Sequence, residues 1–528
     1  MKPILQPRAP DGTSTRITRQ NFVARIIPVL WVICICHVGG TAGSAAGQKP
    51  AAGDRLNVVV IMADDMGYGD VQSLNPWSRI PTPAIDSLAH GGRRYLDAHS
   101  PSAVCTPTRY GLVTGRYCWR TRLKSGVLNG YGSPLMDDDR FTIASLMKRE
   151  GYATGVIGKW HLGLGFARHD DDRTQGQRFD YSKPVSMTPV HFGFDHSMII
   201  PASLDFPPYL FVKNENVLEL PSETQDAISF PRFLRKGERS PDFDPETILD
   251  RLADMAVAFI DENAGSTRPF FLYVPLTSPH KPVWPATRFT GTTGLGPYGD
   301  FIAQTDWTVG RILQCLDKNS IAENTLVIFT SDNGSFMFRR KAEEKGHLDD
   351  PSVQAYREDI HRSNFIFRGT KADIYEAGHR VPFLVRWPAG VRPGSVSSRT
   401  ICHVDIFRTV AELIDAEPLP DDAAEDSFSF AADLMEKPSV PPRPPVINHS
   451  ANGTFAIRKG PWKLILSSGS GGREQPRSRP FEKPYQLYNL DEDPREQFNL
   501  IERHPDRASD MESTLLGIRE SSTAYNKN

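Results

Sequence analysis

Four uninterrupted apolar runs dominate the chain, and three of them stop at residues able to do chemistry. Leu56–Met62 (LNVVVIM) runs into Asp64-Asp65-Met66-Gly67. Thr325–Thr330 (TLVIFT) runs into Asp332-Asn333-Gly334, and Phe270–Pro275 (FFLYVP) leads to Ser278-Pro279-His280. Val381–Trp387 (VPFLVRW) is the fourth. Short runs rich in Val, Ile and Phe, without polar alternation, predict strands buried on both faces. Between them, Ile143–Arg149, Pro245–Asn263, Phe301–Leu316 and Cys402–Leu413 place apolar residues at helical spacing. Buried strands alternating with helices predict an α/β fold around a large, mostly parallel sheet. Ligands in such sheets gather beyond the carboxyl ends of the strands, which is where these polar residues fall.

The two ends of the chain have a different texture. Arg16, Arg19 and Arg25 precede an apolar stretch, Ile26–Cys36, and small residues follow at Ala42–Ala46. That stretch is shorter than the roughly 20 residues a membrane-spanning helix needs. The pattern predicts a signal peptide over residues 1–48, export, and no stable membrane insertion after cleavage. A net charge of -2, with only short acidic runs, argues against a nucleic-acid partner. Beyond the signal, Cys105, Cys118, Cys315 and Cys402 remain, too few for a disulfide scaffold but enough for one disulfide. From Glu417 the chain turns acidic and Ala-rich, and Pro441–Pro445 reads as a stiff crossover. The expected organisation is a catalytic domain over 49–445 and a smaller one over 446–528. The smaller one has short strands within Thr454–Leu466 and Tyr485–Leu490, a mobile Gly/Ser/Arg loop over Ser467–Ser478, and a terminal helix.

Asp64 and Asp65 at a strand exit cannot both stay charged and buried without compensation, because like charges raise each other's pKa. Asp332 and Asn333 supply two more oxygens at the end of a second run. An oxygen-rich set with no dominant Cys or His suits a hard cation such as calcium or magnesium and disfavours zinc. Around Cys105, Pro107 disfavours helix at Thr106, so a turn is expected, with a helix from about Thr108. On these residues alone, Cys105 is either an activated thiol beside Arg109 or a structural cysteine near a helix start.

The segment Cys105-Thr106-Pro107-Thr108-Arg109, followed by Leu112-Val113-Thr114-Gly115-Arg116, resembles the signature of the type I, formylglycine-dependent sulfatases. The resemblance continues through Asp64–Gly67, Gly158-Lys159-Trp160-His161, Ser278–His280, Ser331–Gly334, Gly369-Thr370-Lys371 and Tyr375–Gly378. Ala377 stands where that family carries a second glycine. Trp462–Leu464 and Leu487–Leu490 resemble its C-terminal part, and the order of the pieces is most similar to the arylsulfatase A and N-acetylgalactosamine-6-sulfatase branch.

The resemblance implies an alkaline-phosphatase-like sandwich with a smaller C-terminal domain bearing a short antiparallel sheet and a helix. It implies a sulfuric ester hydrolase, exported to a periplasm or secreted. In it a formylglycine-generating enzyme oxidises Cys105 to formylglycine, whose gem-diol attacks sulfur to give a covalent sulfoenzyme. One calcium ion would be held by Asp64, Asp65, Asp332, Asn333 and position 105. Lys159 and Lys371 would hold sulfate oxygens, and Arg109 would stabilise position 105. His161 would take a proton, and His280 would protonate the leaving alcohol. The expected substrate is a sulfated small molecule, most simply a saccharide, read by the loops Phe166–Phe206 and Phe336–Asn364. A phosphatase or phosphonate monoester hydrolase and a non-catalytic carbohydrate-binding relic are the alternatives, and the presence of Cys105, Arg109, His161, His280 and Lys371 argues against the relic.

Overall fold

The computed structural model describes residues 55–168 and 179–521. The signal peptide expected over 1–48 lies outside the described residues. The described residues fall in one compact unit. Its central strands are β1 (Asn57–Asp64), β2 (Arg93–His99), β3 (Ala153–Lys159), β4 (His196–Ile200), β5 (Val212–Lys213), β6 (Asn216–Val217), β7 (Phe270–Pro279), β8 (Thr325–Ser331), β9 (Phe383–Arg386) and β10 (Ser395–Cys402). They form one sheet in the order β10-β2-β9-β8-β1-β7-β3-β4-β5-β6. Within it β8, β1, β7, β3 and β4 run parallel in succession. The fourth apolar run, β9, is antiparallel to both its neighbours, β8 and β2.

Each face of the sheet has its own core. On β1, Val59, Ile61 and Ala63 face one apolar cluster, while Val58, Val60 and Met62 face another. The first cluster packs against α1 (Pro83–His90), α4 (Ile248–Ala264) and α5 (Gly296–Lys318). The second packs against α2 (Cys105–Thr114), α3 (Ile143–Arg149) and α7 (Ile406–Leu413). This two-faced burial is why the run lacks alternation. Between β8 and β9 lies one short further helix, α6 (Glu376–His379).

Helix α2 corrects one expectation: it begins at Cys105 itself, so Thr106 and Pro107 are helical. Pro107 sits in the first turn, where backbone N–H groups have no intrahelical acceptor, so the ring removes no bond.

Toward the C-terminus, β11 (Val446–His449), β12 (Phe455–Lys459), β13 (Trp462–Ile465) and β14 (Gln486–Asn489) make an antiparallel sheet of four strands. One face packs on α8 (Pro505–Glu520) and on Tyr117, Trp119 and Val404. The other covers Ile374 and Tyr375, three and four residues past Lys371. The loop over Ser467–Ser478, expected to be mobile, is tied down instead. Ser470 accepts from the Ile374 N–H at 2.8 Å, and Asp373 Oδ1 takes the Glu474 N–H at 3.0 Å. Cys105, Cys118, Cys315 and Cys402 are all free thiols, so the disulfide allowed by the sequence does not form. No helix among the described residues is long and apolar enough to cross a membrane.

Candidate active site

The ends of β8, β1, β7 and β3 lie side by side and deliver Asp332-Asn333, Asp64-Asp65, His280 and Lys159-Trp160-His161 to one place. The first residue of α2 brings Cys105 there, and the segment after Gly369 brings Lys371. Local backbone is bent to make this convergence. Asp65, His161 and Ala372 sit at φ 64, 59 and 81°, a left-handed conformation that side-chain-bearing residues adopt at a cost. Gly158 (φ 133°) has no Cβ because one would fall 2.0 Å from the Pro275 carbonyl of β7.

Cys105 Sγ lies 3.3 Å from Lys371 Nζ, 3.6 Å from Asp64 Oδ1 and 3.9 Å from Asp65 Oδ1. The Lys159 ammonium donates to both oxygens of Asp64, at 2.8 and 2.7 Å. The Lys371 ammonium reaches the two oxygens of Asp65 at 2.6 and 2.8 Å. Arg109 is wholly buried. It donates through Nε and Nη2 to Asp332 Oδ2, at 3.0 and 2.8 Å, and through Nη1 to the Lys159 carbonyl at 2.9 Å. Asn333 Nδ2 donates to Asp65 Oδ1 at 2.7 Å, while its buried Oδ1 has no partner. All ten residues singled out in the sequence therefore fall in this one cluster or its rim.

Burial pushes the Asp64 carboxyl up to about 7, with Lys159 opposing and Asp332 adding to it. Burial acts on Asp332 too, but Arg109, Lys159 and Lys371 outweigh it and hold that carboxyl well below the usual range. Burial, with Asp332 beside it, pushes the Cys105 thiol far up, so an unmodified thiol here stays protonated and is a weak nucleophile. Burial, then Lys159 and Arg109, hold His161 neutral. Its Nε2 lies 2.7 Å from the Leu128 carbonyl, which only accepts, so that nitrogen carries the proton. Nδ1 is left buried, unprotonated and unpartnered. Burial, then Lys371 and Lys159, likewise keep His280 neutral. Its Nδ1 donates to the Lys281 carbonyl at 2.5 Å, which leaves Nε2 as the open position, 3.5 Å from Asp65 Oδ2.

Two neighbours escaped the sequence reading. Asp205 is buried, with Oδ1 3.9 Å from His280 Nδ1 and an ion pair to Arg235. Lys281 directly follows His280, and two adjacent basic residues after a buried run were a usable signal.

Comparison with known proteins decides what this cluster belongs to. The sulfatase family model matches residues 56–416. The chain belongs to the sulfatase family. An N-acetylgalactosamine-6-O-sulfatase of Bacteroides thetaiotaomicron is 33% identical over 94% of this chain and 99% of its own length. Human arylsulfatase A is 30% identical over 87% of this chain and 85% of its own. A solved structure connected with the metabolism of multiple glycosaminoglycans by Bacteroides thetaiotaomicron superposes with a TM-score of 0.76. It is 32% identical and covers 89% of this chain and 100% of its own. As a sulfatase the protein is a sulfuric ester hydrolase, and the ten-stranded sheet with its small C-terminal sheet is the sulfatase form of the alkaline-phosphatase-like fold.

Proposed function

We propose that this sulfatase removes a sulfate monoester group from a sulfated saccharide, with formylglycine at position 105 and one calcium ion. The saccharide reading is supported by the N-acetylgalactosamine-6-O-sulfatase, which shares nearly its whole length with this chain. The observation that carries the formylglycine reading is Cys105 itself. It lies among Asp64, Asp65 and Lys371, yet burial pushes its thiol toward the protonated form, and among the described residues no histidine is hydrogen-bonded to it to take that proton. The buried, unpartnered Oδ1 of Asn333 beside the carboxylates of Asp64, Asp65 and Asp332 suits an oxygen-coordinated cation. Those four residues, with position 105, would hold it. When present, formylglycine supplies a hydroxyl nucleophile, and calcium supplies charge neutralisation at the sulfate.

The chain's own side chains do the rest. Lys159 and Lys371 are the cations nearest the cluster centre and bind sulfate oxygens, balancing charge that grows during attack. Arg109 clamps Asp332 and the Lys159 carbonyl, which fixes the floor of the site. His161 accepts a proton at Nδ1, the nitrogen that its Leu128 bond leaves free. His280 delivers a proton from Nε2 to the leaving alcohol. Burial and then the neighbouring lysines keep the ring neutral, and a bound sulfate adds the negative charge that raises its proton affinity. The basic-then-apolar leader supports export, to a periplasm or by secretion, and a formylglycine-generating enzyme is the maturation partner. The working division remains a catalytic domain over 49–445 and a smaller one over 446–528.

Cys105→Ala should lower kcat by at least about a thousandfold, the scale of losing a covalent nucleophile, with the melting temperature kept. Mass spectrometry of the Cys105 peptide from active wild type should find the aldehyde. Turnover by purified Cys105→Ala, or active enzyme carrying only the thiol, would sink the proposal.

A further inference from the structure

The rim of the site holds two cations without anionic side-chain partners. Lys281 is half-buried next to His280. Among the described residues its ammonium makes no ion pair or hydrogen bond; it sits over the Phe233 ring, 4.9 Å from Nζ to the centroid, and feels Asp205 and Asp65 only at longer range. The carboxylates near it are engaged elsewhere: Asp65 by Lys371, and Asp205 by Arg235. A half-buried ammonium with no carboxylate bonded to it is costly to keep, so its persistence at a binding cleft points to a charge that arrives with the ligand.

Arg473 arrives from the loop between β13 and β14. That loop lies flat on the residues just after Lys371. A Cβ on Gly472 would fall 2.3 Å from the Ala372 carbonyl, so only glycine allows the approach. Asp373 Oδ1 accepts the N–H of both Arg473 and Glu474. The guanidinium stacks over Phe338, 4.3 Å from its centroid. Its Nη atoms donate to the Phe336 carbonyl at 2.7 Å and to Gln354 Oε1 at 3.2 Å, both neutral acceptors. The fork is therefore held by aromatic and amide groups, and no carboxylate is bonded to it among the described residues; Asp373 and Asp65 act on its charge only from a distance. Burial depresses both groups; at Lys281 the neighbouring Lys371 and Arg473 add to it against the pull of Asp205 and Asp65, and at Arg473 the carboxylates of Asp373 and Asp65 oppose it while Arg477 adds to it.

We infer that Lys281 and Arg473 form a second anion subsite at the mouth of the sulfate-ester site. It receives a second acidic group, sulfate or carboxylate, on the same saccharide. This rests on the saccharide reading above and narrows it to substrates with at least two anionic groups. The subsite joins the segment after β7 to the C-terminal loop, so the smaller sheet contributes to substrate choice and not only to stability.

The test is kcat/KM for wild type, Lys281→Met, Arg473→Gln and the double variant on four substrates. These are a simple aryl sulfate, a hexosamine monosulfate, the same sugar linked to a uronic acid, and its disulfated form. In wild type the diacidic saccharides should be preferred. Each single variant should cut the ratio of diacidic to monosulfated kcat/KM by about tenfold, chiefly through KM, and the double variant by more. Which diacidic substrate loses most tells carboxylate from sulfate. Lys281→Arg, which keeps the charge, should retain the preference. An equal loss on all four substrates, or an unchanged ratio, overturns the subsite while the saccharide reading stands. Wild type that cleaves the aryl sulfate and no saccharide overturns the saccharide reading and the subsite with it.

Discussion

Replacing Lys463 by Met tests whether a buried charge network, remote from the sulfate, holds Lys371 in place. Lys463 lies on β13 with 1% of its side chain exposed. Its ammonium is 3.0 Å from Glu376 Oε1, 2.8 Å from Glu496 Oε1 and 3.1 Å from His379 Nε2. His379 meets His99 ring-nitrogen to ring-nitrogen at 3.0 Å, and His99 meets Asp97 at 3.0 Å. With the Lys463 ammonium already beside Glu376 and His379, the His99–Glu376–His379 cluster is filled by a cation of the protein's own. Removing it strands two buried carboxylates: Glu376 keeps Arg380 at 3.1 Å, while Glu496 keeps the Glu376 backbone N–H at 2.7 Å. Breaking a buried pair from one side costs about 3–5 kcal/mol. At pH 8, urea unfolding followed by tryptophan fluorescence should show Lys463→Met less stable by that amount. Lys463→Met/Glu496→Gln should recover about 1–3 kcal/mol of it, since no second stranded charge remains. Activity should fall too, because Glu376 is five residues from Lys371 on the same segment. A single variant costing under about 1 kcal/mol, or a double variant whose cost is the sum of the singles, refutes the reasoning.

Three further outcomes follow from the same geometry. Burial, with Glu376 beside it, pushes Glu496 up to about 7 against the pull of Lys463. A folded pKa above the unfolded one means stability that is full below about 4.5 and is lost as pH rises through 7, at most about 3 kcal/mol at 1.36 kcal/mol per unit. Asp64 titrates in the same window with the same sign, so the readout is the difference in urea midpoints between wild type and Glu496→Gln from pH 5 to 8. A parallel decline in both proteins contradicts it. Gly472→Val should push the loop off Ala372, raising KM for saccharides while melting within a few degrees of wild type; an unchanged KM argues that the loop does not line the cleft. Chelation should abolish turnover and added calcium should restore it, with a rise in melting temperature that tracks occupancy; full activity in chelator would remove the cation from the reading.

The frame of the molecule was legible because buried strands cannot hide their composition. The runs at β1, β7 and β8 are apolar through their middles, on both faces, because clusters lie on each side, and their ends had to be where charge begins. Asp64, Asp65, Asp332, Asn333 and His280 were visible for that reason. The start of α2 was misread because the bias against helix before proline weakens in a first turn. The direction of β9 could not be read either, since an apolar run carries no sign of its orientation.

What stayed hidden was charge buried by tertiary contact. Taken singly, Lys463, Glu376, Glu496 and Arg473 look in sequence like ordinary solvated residues, and the first three are interior only because β13 is laid against the segment after Lys371. The candidate active-site cluster and this network share one physical rule: each buried carboxylate is matched by a cation from a distant part of the chain. In the cluster, Asp64, Asp65 and Asp332 meet Lys159, Lys371 and Arg109. A dication held among those carboxylates would free Lys159 and Lys371 to face an incoming anion. A bound sulfate then offsets the positive charge so created. Metal and substrate should therefore strengthen each other's binding, and by linkage each does so by the same factor.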